Sequence, residues 1–225
     1  MLFEMDRLTG AERYKLLTSS ITPRPIAWVT TVSADGILNA APFSAFNMVG
    51  HTPPMIVLGI QQRTDGGCKD TCANILATGE LVVNLVTEAD VEAMNSTSVE
   101  APPEFNEVEA GSIPVIPSSY VAPPRIATSP VSFECRSFQV IRPGPQQTII
   151  LGEVIAVHVK DAFIVDSIGV HLDTPRMRLV GRMQGPGWYA RCTDLLQVRP
   201  PGPWSIDRTR EGSGGLPQPD KQEGS

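Results

Sequence analysis

Two stretches of the chain concentrate residue types that can hold a ligand. Residues 21–47 read ITPRPIAWVTTVSADGILNAAPFSAFN. Thr30, Thr31, Asn39, Ser44 and Asn47 offer hydrogen-bonding groups there, beside the small residues Ala40 and Ala41 and the ring of Pro42. Small residues on a strand let a flat molecule approach the backbone closely. Asn39 and Ser44 are hard to account for as core, because buried polar groups need partners. The second stretch, residues 69–79, reads KDTCANILATG. The free N–H groups of a helix's first turn favour an anion, and Lys69 adds a charge of the right sign. Read alone, Lys69 is equally a solvated charge and Thr71 merely a cap. Arg63, six residues before Lys69, and Arg24, held between two prolines, complete the set of cations that could meet an anionic ligand.

The elements that must position these groups follow from periodicity. Residues 25–32 are rich in β-branched and aromatic types, Ala34-Asp35-Gly36 supplies a tight turn, and residues 38–46 form the return strand. Residues 9–19 have the spacing of a short amphipathic helix with Tyr14 and Leu17 one turn apart. The run PMIVLGI after Pro53-Pro54 reads as a fully buried strand. Residues 69–79 read as a helix capped by Asp70 or Thr71, presenting Cys72, Ile75 and Leu76 to a core and stopping at Gly79. ELVVNLV is a strand, and a second capped helix opens at Thr87. Residues 101–130 carry many prolines and little period, which predicts a long loop. Residues 131–141 and 148–160 are strands joined through Pro143-Gly144-Pro145. From residue 199 the composition turns to Pro, Gly, Ser and charge, so residues 1–198 form the expected domain and 199–225 an expected disordered tail. Many antiparallel strands with few helices predict a small, mostly-β Greek-key barrel.

Composition removes several function classes. A net charge of −6 over 225 residues argues against nucleic acid as a partner, since phosphate backbones recruit basic patches. No apolar run reaches the roughly 20 residues needed to span a bilayer. The first fifteen residues hold early acidic side chains and no apolar core of a signal peptide, so the cytoplasm is the expected location. The four cysteines (68, 72, 135, 192) have no zinc spacing, and the three histidines (51, 158, 171) are scattered, so no metal site is expected. No G-x-G-x-x-G follows a strand, and no nucleophile–base signature or paired-carboxylate signature is present, so no side chain is assigned as catalytic.

The quoted strings resemble the flavin reductase-like, FMN-binding split-barrel family. There a PRPIAWVTT-like strand and an N-x-A-P-[FY]-S-x-F-N-like strand hold the flavin. KDTCANILATGELVVNLV is similar to the family's K-D-T-x-x-N-I-x-x-T-G-E-F-V-V-N segment, with Leu81 where Phe is common. RLVGRMQGPGWYAR (residues 178–191) resembles the closing R-[LM]-G-G-x-x-Y motif with its glycines displaced. The resemblance covers roughly residues 10–195. It implies a six-stranded split β-barrel with a few added helices, assembled as a homodimer with one FMN per subunit.

The same resemblance implies which residues seat the cofactor. Thr30, Thr31, Asn39, Ala41, Pro42, Ser44 and Asn47 would seat FMN, with Arg63, Lys69 and Thr71 on its phosphate side and Ser44 a further phosphate candidate. Arg24 would meet phosphate or a nicotinamide dinucleotide, unless it forms a surface salt bridge, and Arg182 and Tyr189 would approach from the C-terminal piece. The implied activity is that of an FMN-dependent oxidoreductase of the flavin reductase class. NADH or NADPH would give hydride to flavin, and free flavin, a partner monooxygenase or another small acceptor would take the electrons. Two alternatives share the barrel. One is an FMN-binding electron carrier that uses no pyridine nucleotide; the other is a module for haem or another ligand, for which His51 is the histidine nearest the motifs.

Overall fold

The computed structural model describes residues 1–198. The expectation for 199–225 lies outside the described residues. Fourteen strands carry the fold: β1 Arg24–Pro25, β2 Ala27–Val32, β3 Leu38–Phe43, β4 Phe46–His51, β5 Pro54–Gln61, β6 Glu80–Leu85, β7 Val115–Ile116, β8 Arg125–Ile126, β9 Val131–Gly144, β10 Gln147–Val159, β11 Ile164–Asp166, β12 His171–Leu172, β13 Val180–Arg182 and β14 Tyr189–Arg191. The helices are α1 Gly10–Ser20, α2 Asp70–Thr78, α3 Val91–Ser96 and α4 Glu107–Ala110. None among the described residues is long and apolar enough to cross a membrane.

The main antiparallel sheet has the order β3-β2-β6-β9-β10-β5-β4. Its two edge strands, β3 and β4, are consecutive in sequence and separated by Ser44 and Ala45 alone. Laid flat, seven strands at about 4.8 Å spacing would hold the edges about 29 Å apart. Three Cα steps span at most about 11 Å. The sheet therefore curls until its edges meet, which is the split-barrel architecture. The strand count differs from the expected six because the run at 38–46 is not one strand: it breaks at Ser44–Ala45 and resumes as β4. The break is sealed by the Gly59 N–H donating to the Ala45 carbonyl at 2.7 Å.

Alternation along β2 sorts the core into two layers. Ala27 and Val29 face one cluster with Ile56, Leu58, Ile60, Ile75, Leu81, Val83 and Ile150. Ile26 and Trp28 face another, with Met94, Val108, Ile113, Ile126 and Val180. The second layer explains residues 101–130. They form short ordered pieces, as expected, and they deliver Val108, Ile113 and Ile126 to the outer face of the barrel. Their hold is polar as well: the fully buried Glu134 carboxylate accepts from the main-chain N–H groups of Ser119 and Tyr120 at 2.7 and 2.6 Å.

Four local expectations need correction. Lys69, not Asp70 or Thr71, occupies the N-cap position of α2, and no side chain caps that end. The inward face of α2 is Thr71, Cys72, Asn74 and Ile75, while Leu76 is 43% exposed. The residues that displace Leu76 are polar because they join a buried hydrogen-bond network on β2 and β3, which an apolar-periodicity argument cannot register. Strand β9 runs through Gly144, so the hairpin turns on Pro145 and Gln146, not on Pro143-Gly144-Pro145. PMIVLGI is a strand, but only Met55, Ile56, Leu58 and Ile60 are buried; Val57 and Gly59 are partly open to a cleft. By contrast α1 opens with a full capping box between Thr9 and Glu12, and Gly79 ends α2 at a φ of 73°.

Gly59 is where packing is tightest at the break: a Cβ there would lie 2.9 Å from the Ala45 Cβ and 3.1 Å from Gln147 Nε2. Gly59→Ala is expected to lower stability by ~1–3 kcal/mol, the usual cost of overpacking, read as a fall in the urea midpoint. An unchanged midpoint would show that the β3–β4 joint yields freely.

Candidate functional site

A cleft with a volume of about 570 Å³ opens beside the β3–β4 break. Its floor is Pro42, Phe43, Ser44, Ala45, Phe46 and Asn47, with Val57, Gly59 and Gln61 from β5. Its outer wall is α1, through Tyr14, Leu17, Thr18 and Ile21. Arg24 stands at one end and Lys69 at another side. A smaller recess of about 70 Å³ is lined by Asn39, Ala41, Arg63, Asp70, Thr71, Glu100 and Glu107, and shares Pro42, Phe43 and Lys69 with the cleft. Cleft and recess therefore meet at Lys69.

The Lys69 ammonium has no hydrogen-bond or ion-pair partner among the described residues, while its carbonyl accepts from Ala73 N at 2.9 Å. It sits on the uncapped N-terminus of α2, whose first-turn N–H groups lack side-chain acceptors. The Arg63 guanidinium is already engaged, with Asp70 Oδ2 at 3.4 Å and the Ala101 carbonyl at 3.0 Å from both terminal nitrogens. Asp70, Glu100 and Glu107 bring carboxylates to the recess, so the unpartnered positive charge is concentrated on Lys69 and not spread over the recess.

The polar residues of the hairpin divide into two groups. Ser44 and Asn47 face the cleft. Thr30, Thr31 and Asn39 are buried and already hydrogen-bonded. Thr30 donates to the Pro124 carbonyl at 2.6 Å. Asn39 Oδ1 accepts from Thr71 Oγ1 at 2.8 Å and Thr31 Oγ1 at 3.3 Å, and its Nδ2 donates to Glu107 Oε2 at 3.0 Å. Asn74 Nδ2 donates to Thr31 Oγ1 at 3.1 Å. These side chains fix α2 and α4 against the hairpin, and of them Asn39, Thr71 and Glu107 reach the recess wall. Trp28 is core, with its indole N–H on Thr97 Oγ1 at 3.0 Å. Ala41 lines the recess and Pro42 lines both cavities.

The C-terminal candidates stand outside both cavities. Arg182 donates to the carbonyls of Trp188 and Gly185, both at 3.0 Å, and lies 4.9 Å over the Tyr189 ring. Trp188 is 67% exposed, so the pair at 188–189 is not jointly buried. Strand β13 still reaches the site indirectly, because Arg182 pairs with Arg24 in register. His51, at the end of β4, is exposed.

Residues that sequence reasoning missed are Tyr14, Leu17, Ile21, Gly59, Gln147 and Glu107. The apolar spacing of 9–19 was visible, but which cavity it faces was not. Glu107 carried no signal, lying in the aperiodic stretch.

Comparison with known proteins agrees with this geometry. Residues 19–167 match the model of the flavin reductase like domain. The chain belongs to that family. It is 40% identical over 185 residues to an uncharacterised protein of Aquifex aeolicus, covering 82% of this chain and 93% of the other. The fold is similar to that of the 2-nitrobenzoate 2-nitroreductase NbaA of Pseudomonas fluorescens, with TM-score 0.82 and 33% identity, covering 90% of this chain and 97% of that one. It is also similar to nitrilotriacetate monooxygenase component B of Bacillus cereus, with TM-score 0.82 and 30% identity over 88% and 98% of the two chains. A flavin cofactor and oxidoreductase chemistry come with this family. The residues present fit a flavin: an apolar floor of strand backbone, and one unpartnered ammonium at an open helix N-terminus.

Glu107 supplies a pH signature of the site. Burial raises its pKa above the ordinary carboxylate range, against hydrogen bonds from Ala40 N and Asn39 that favour the ionised form. The folded state then holds this proton more tightly than the unfolded one. Its contribution to stability is full at low pH and is lost as pH rises past the ordinary carboxylate value. Glu107→Gln keeps an acceptor for Asn39 and Ala40 and removes the charge. We expect the stability of the variant relative to wild type to rise between pH 4 and pH 8, measured by urea unfolding. A difference independent of pH would contradict the assignment.

Proposed function

We propose that the chain is an FMN-dependent reductase that takes hydride from NADH or NADPH. The observation that carries this reading is the meeting of cleft and recess at Lys69. A phosphorylated ligand laid along the cleft would find its anionic end beside the unpartnered ammonium and the open N–H groups of α2. Bound FMN supplies a ring that accepts hydride and passes electrons onward.

The chain's own residues bind, orient and shield. Pro42, Phe43 and Phe46 give the ring an apolar floor, and Ser44 and Asn47 offer polar groups at its edge. The buried Asn39–Thr71–Thr31 network holds α2, and with it Lys69, at a fixed distance from that floor. Tyr14, Arg24 and Lys69 are the titratable residues of the cleft lining; it contains no carboxylate, histidine or cysteine. Hydride transfer suits such a lining, since no side chain has to give or take a proton at the donor carbon.

In this reading the protein works in the cytoplasm as a homodimer, with the exposed Met48 and Val49 of β4 offering an apolar edge to a second copy. The likeness to nitrilotriacetate monooxygenase component B supports a partner monooxygenase as one electron acceptor.

Anaerobic mixing of the flavin-loaded protein with NADH or NADPH is expected to bleach the flavin band rapidly. Bleaching by dithionite alone would instead make the protein an electron carrier. Lys69→Glu is expected to weaken FMN binding more than tenfold, about 1.4 kcal/mol or more, in a fluorescence titration. Unchanged affinity would remove Lys69 from the phosphate side.

A further inference from the structure

Helix α1 is held in an unusual way. None of its 11 residues is buried, so no core contact fixes it. A helix of that length is marginal on its own in water. Its Tyr14, Leu17 and Ile21 nevertheless form one face, at i, i+3 and i+7, and that face is the outer wall of the cleft. The capping box secures the N-terminal end.

The C-terminal end is secured by Arg24. Its Nη1 donates to the Thr18 carbonyl at 2.6 Å and the Ile21 carbonyl at 3.0 Å. Its Nε donates to Ser44 Oγ at 3.3 Å, and its Nη2 to the Met183 carbonyl at 3.2 Å. Four of the five guanidinium N–H groups are thereby used. The anchors belong to three separate pieces: the end of α1, the β3–β4 break and the turn after β13. Among the described residues no carboxylate pairs with Arg24. Its neighbour across the β1–β13 ladder is another cation, Arg182. A guanidinium so placed is a clamp on carbonyls, and a cation at a helix C-terminus is favourable in its own right.

The wall it holds shows the cleft two aliphatic side chains, Leu17 and Ile21, and the ring of Tyr14. The Thr18 hydroxyl donates back to the carbonyls of Tyr14 and Lys15 at 2.8 and 3.3 Å. Arg24 keeps its charge at one end of this wall, and Lys69 lies on another side of the cleft.

We propose that Arg24 is a positioning residue that clamps α1 across the cleft, and that the face so held, Tyr14, Leu17 and Ile21, selects a second substrate by packing against its apolar part. The selection half of this inference rests on the flavin reading above; the clamp half does not.

The test uses the FMN-loaded full chain, with an uncharged naphthoquinone as acceptor. Arg24→Gln is expected to speed amide exchange over residues 11–21 at least tenfold, with the sheet unchanged. Arg24→Lys, which keeps the charge and loses the fork, is the milder variant should the first fold poorly, and its exchange should fall between the two. Both variants should raise KM for the uncharged quinone at least fivefold, with KM moving more than kcat. Leu17→Ala, which leaves the clamp intact, should raise that KM without faster exchange in α1. Unchanged exchange in Arg24→Gln and Arg24→Lys would overturn the clamp. Faster exchange with an unmoved quinone KM would overturn the selecting wall. A wild-type protein that takes up no FMN would sink the flavin reading, and the exchange data would still decide the clamp.

Discussion

The structure depends on one covalent constraint: the two edges of a seven-stranded sheet are tied together by Ser44 and Ala45. That tether forces the sheet to curl. It also leaves the chain at 44–45 out of the regular ladder, with the Ala45 carbonyl bound by Gly59 and Ser44, Ala45 and Asn47 lining the open cleft. The cleft is the open side of this joint. A ligand bound there rests on the backbone of the barrel's seam, and the seam is as rigid as the barrel because β2 and β5 flank it on either side.

Around the seam the polar side chains divide their labour. Buried ones, Thr31, Asn39, Thr71, Asn74 and Glu107, bond to each other and lock α2 and α4 onto the hairpin. Every member has a partner, and no buried side-chain nitrogen or oxygen among the described residues is left without one. Such a network specifies one arrangement of its elements, because breaking any link strands a polar group out of water. The half-buried Lys69 and Ser44 and the exposed Asn47 are then carried at fixed places around the cleft. Arg24 belongs with the fixing groups, although a lone arginine in a proline-rich stretch reads most simply as a ligand-binding cation.

Much of this was legible in the order of residues. The hairpin at 25–46, the stop at Gly79 and the long strand pair after residue 131 follow from local period and turn chemistry, which act within a few residues. The family resemblance then identified the flavin fold. The break in the second strand was not legible, since AAPFSAF is locally as extended as its neighbours and the kink comes from closing the barrel. Arg24 could not be assigned because three of its four acceptors are main-chain carbonyls, which leave no trace in sequence. Glu107 was invisible for a related reason: its partners, Asn39 and Ala40, lie 68 and 67 residues away. Thr30 and Thr31 were read as residues that seat the flavin, and their hydroxyls find partners within the protein.

The central claim is that the β3–β4 seam is the bed of a flavin whose phosphate end lies at the start of α2. Its most direct test is a crystal structure grown with riboflavin 5′-phosphate. The account predicts ring density lying over Pro42, Phe43 and Phe46, with phosphate oxygens within hydrogen-bond distance of Lys69 Nζ and the first main-chain N–H groups of α2. Flavin bound elsewhere, or the same bed with its phosphate turned away from Lys69, would contradict it.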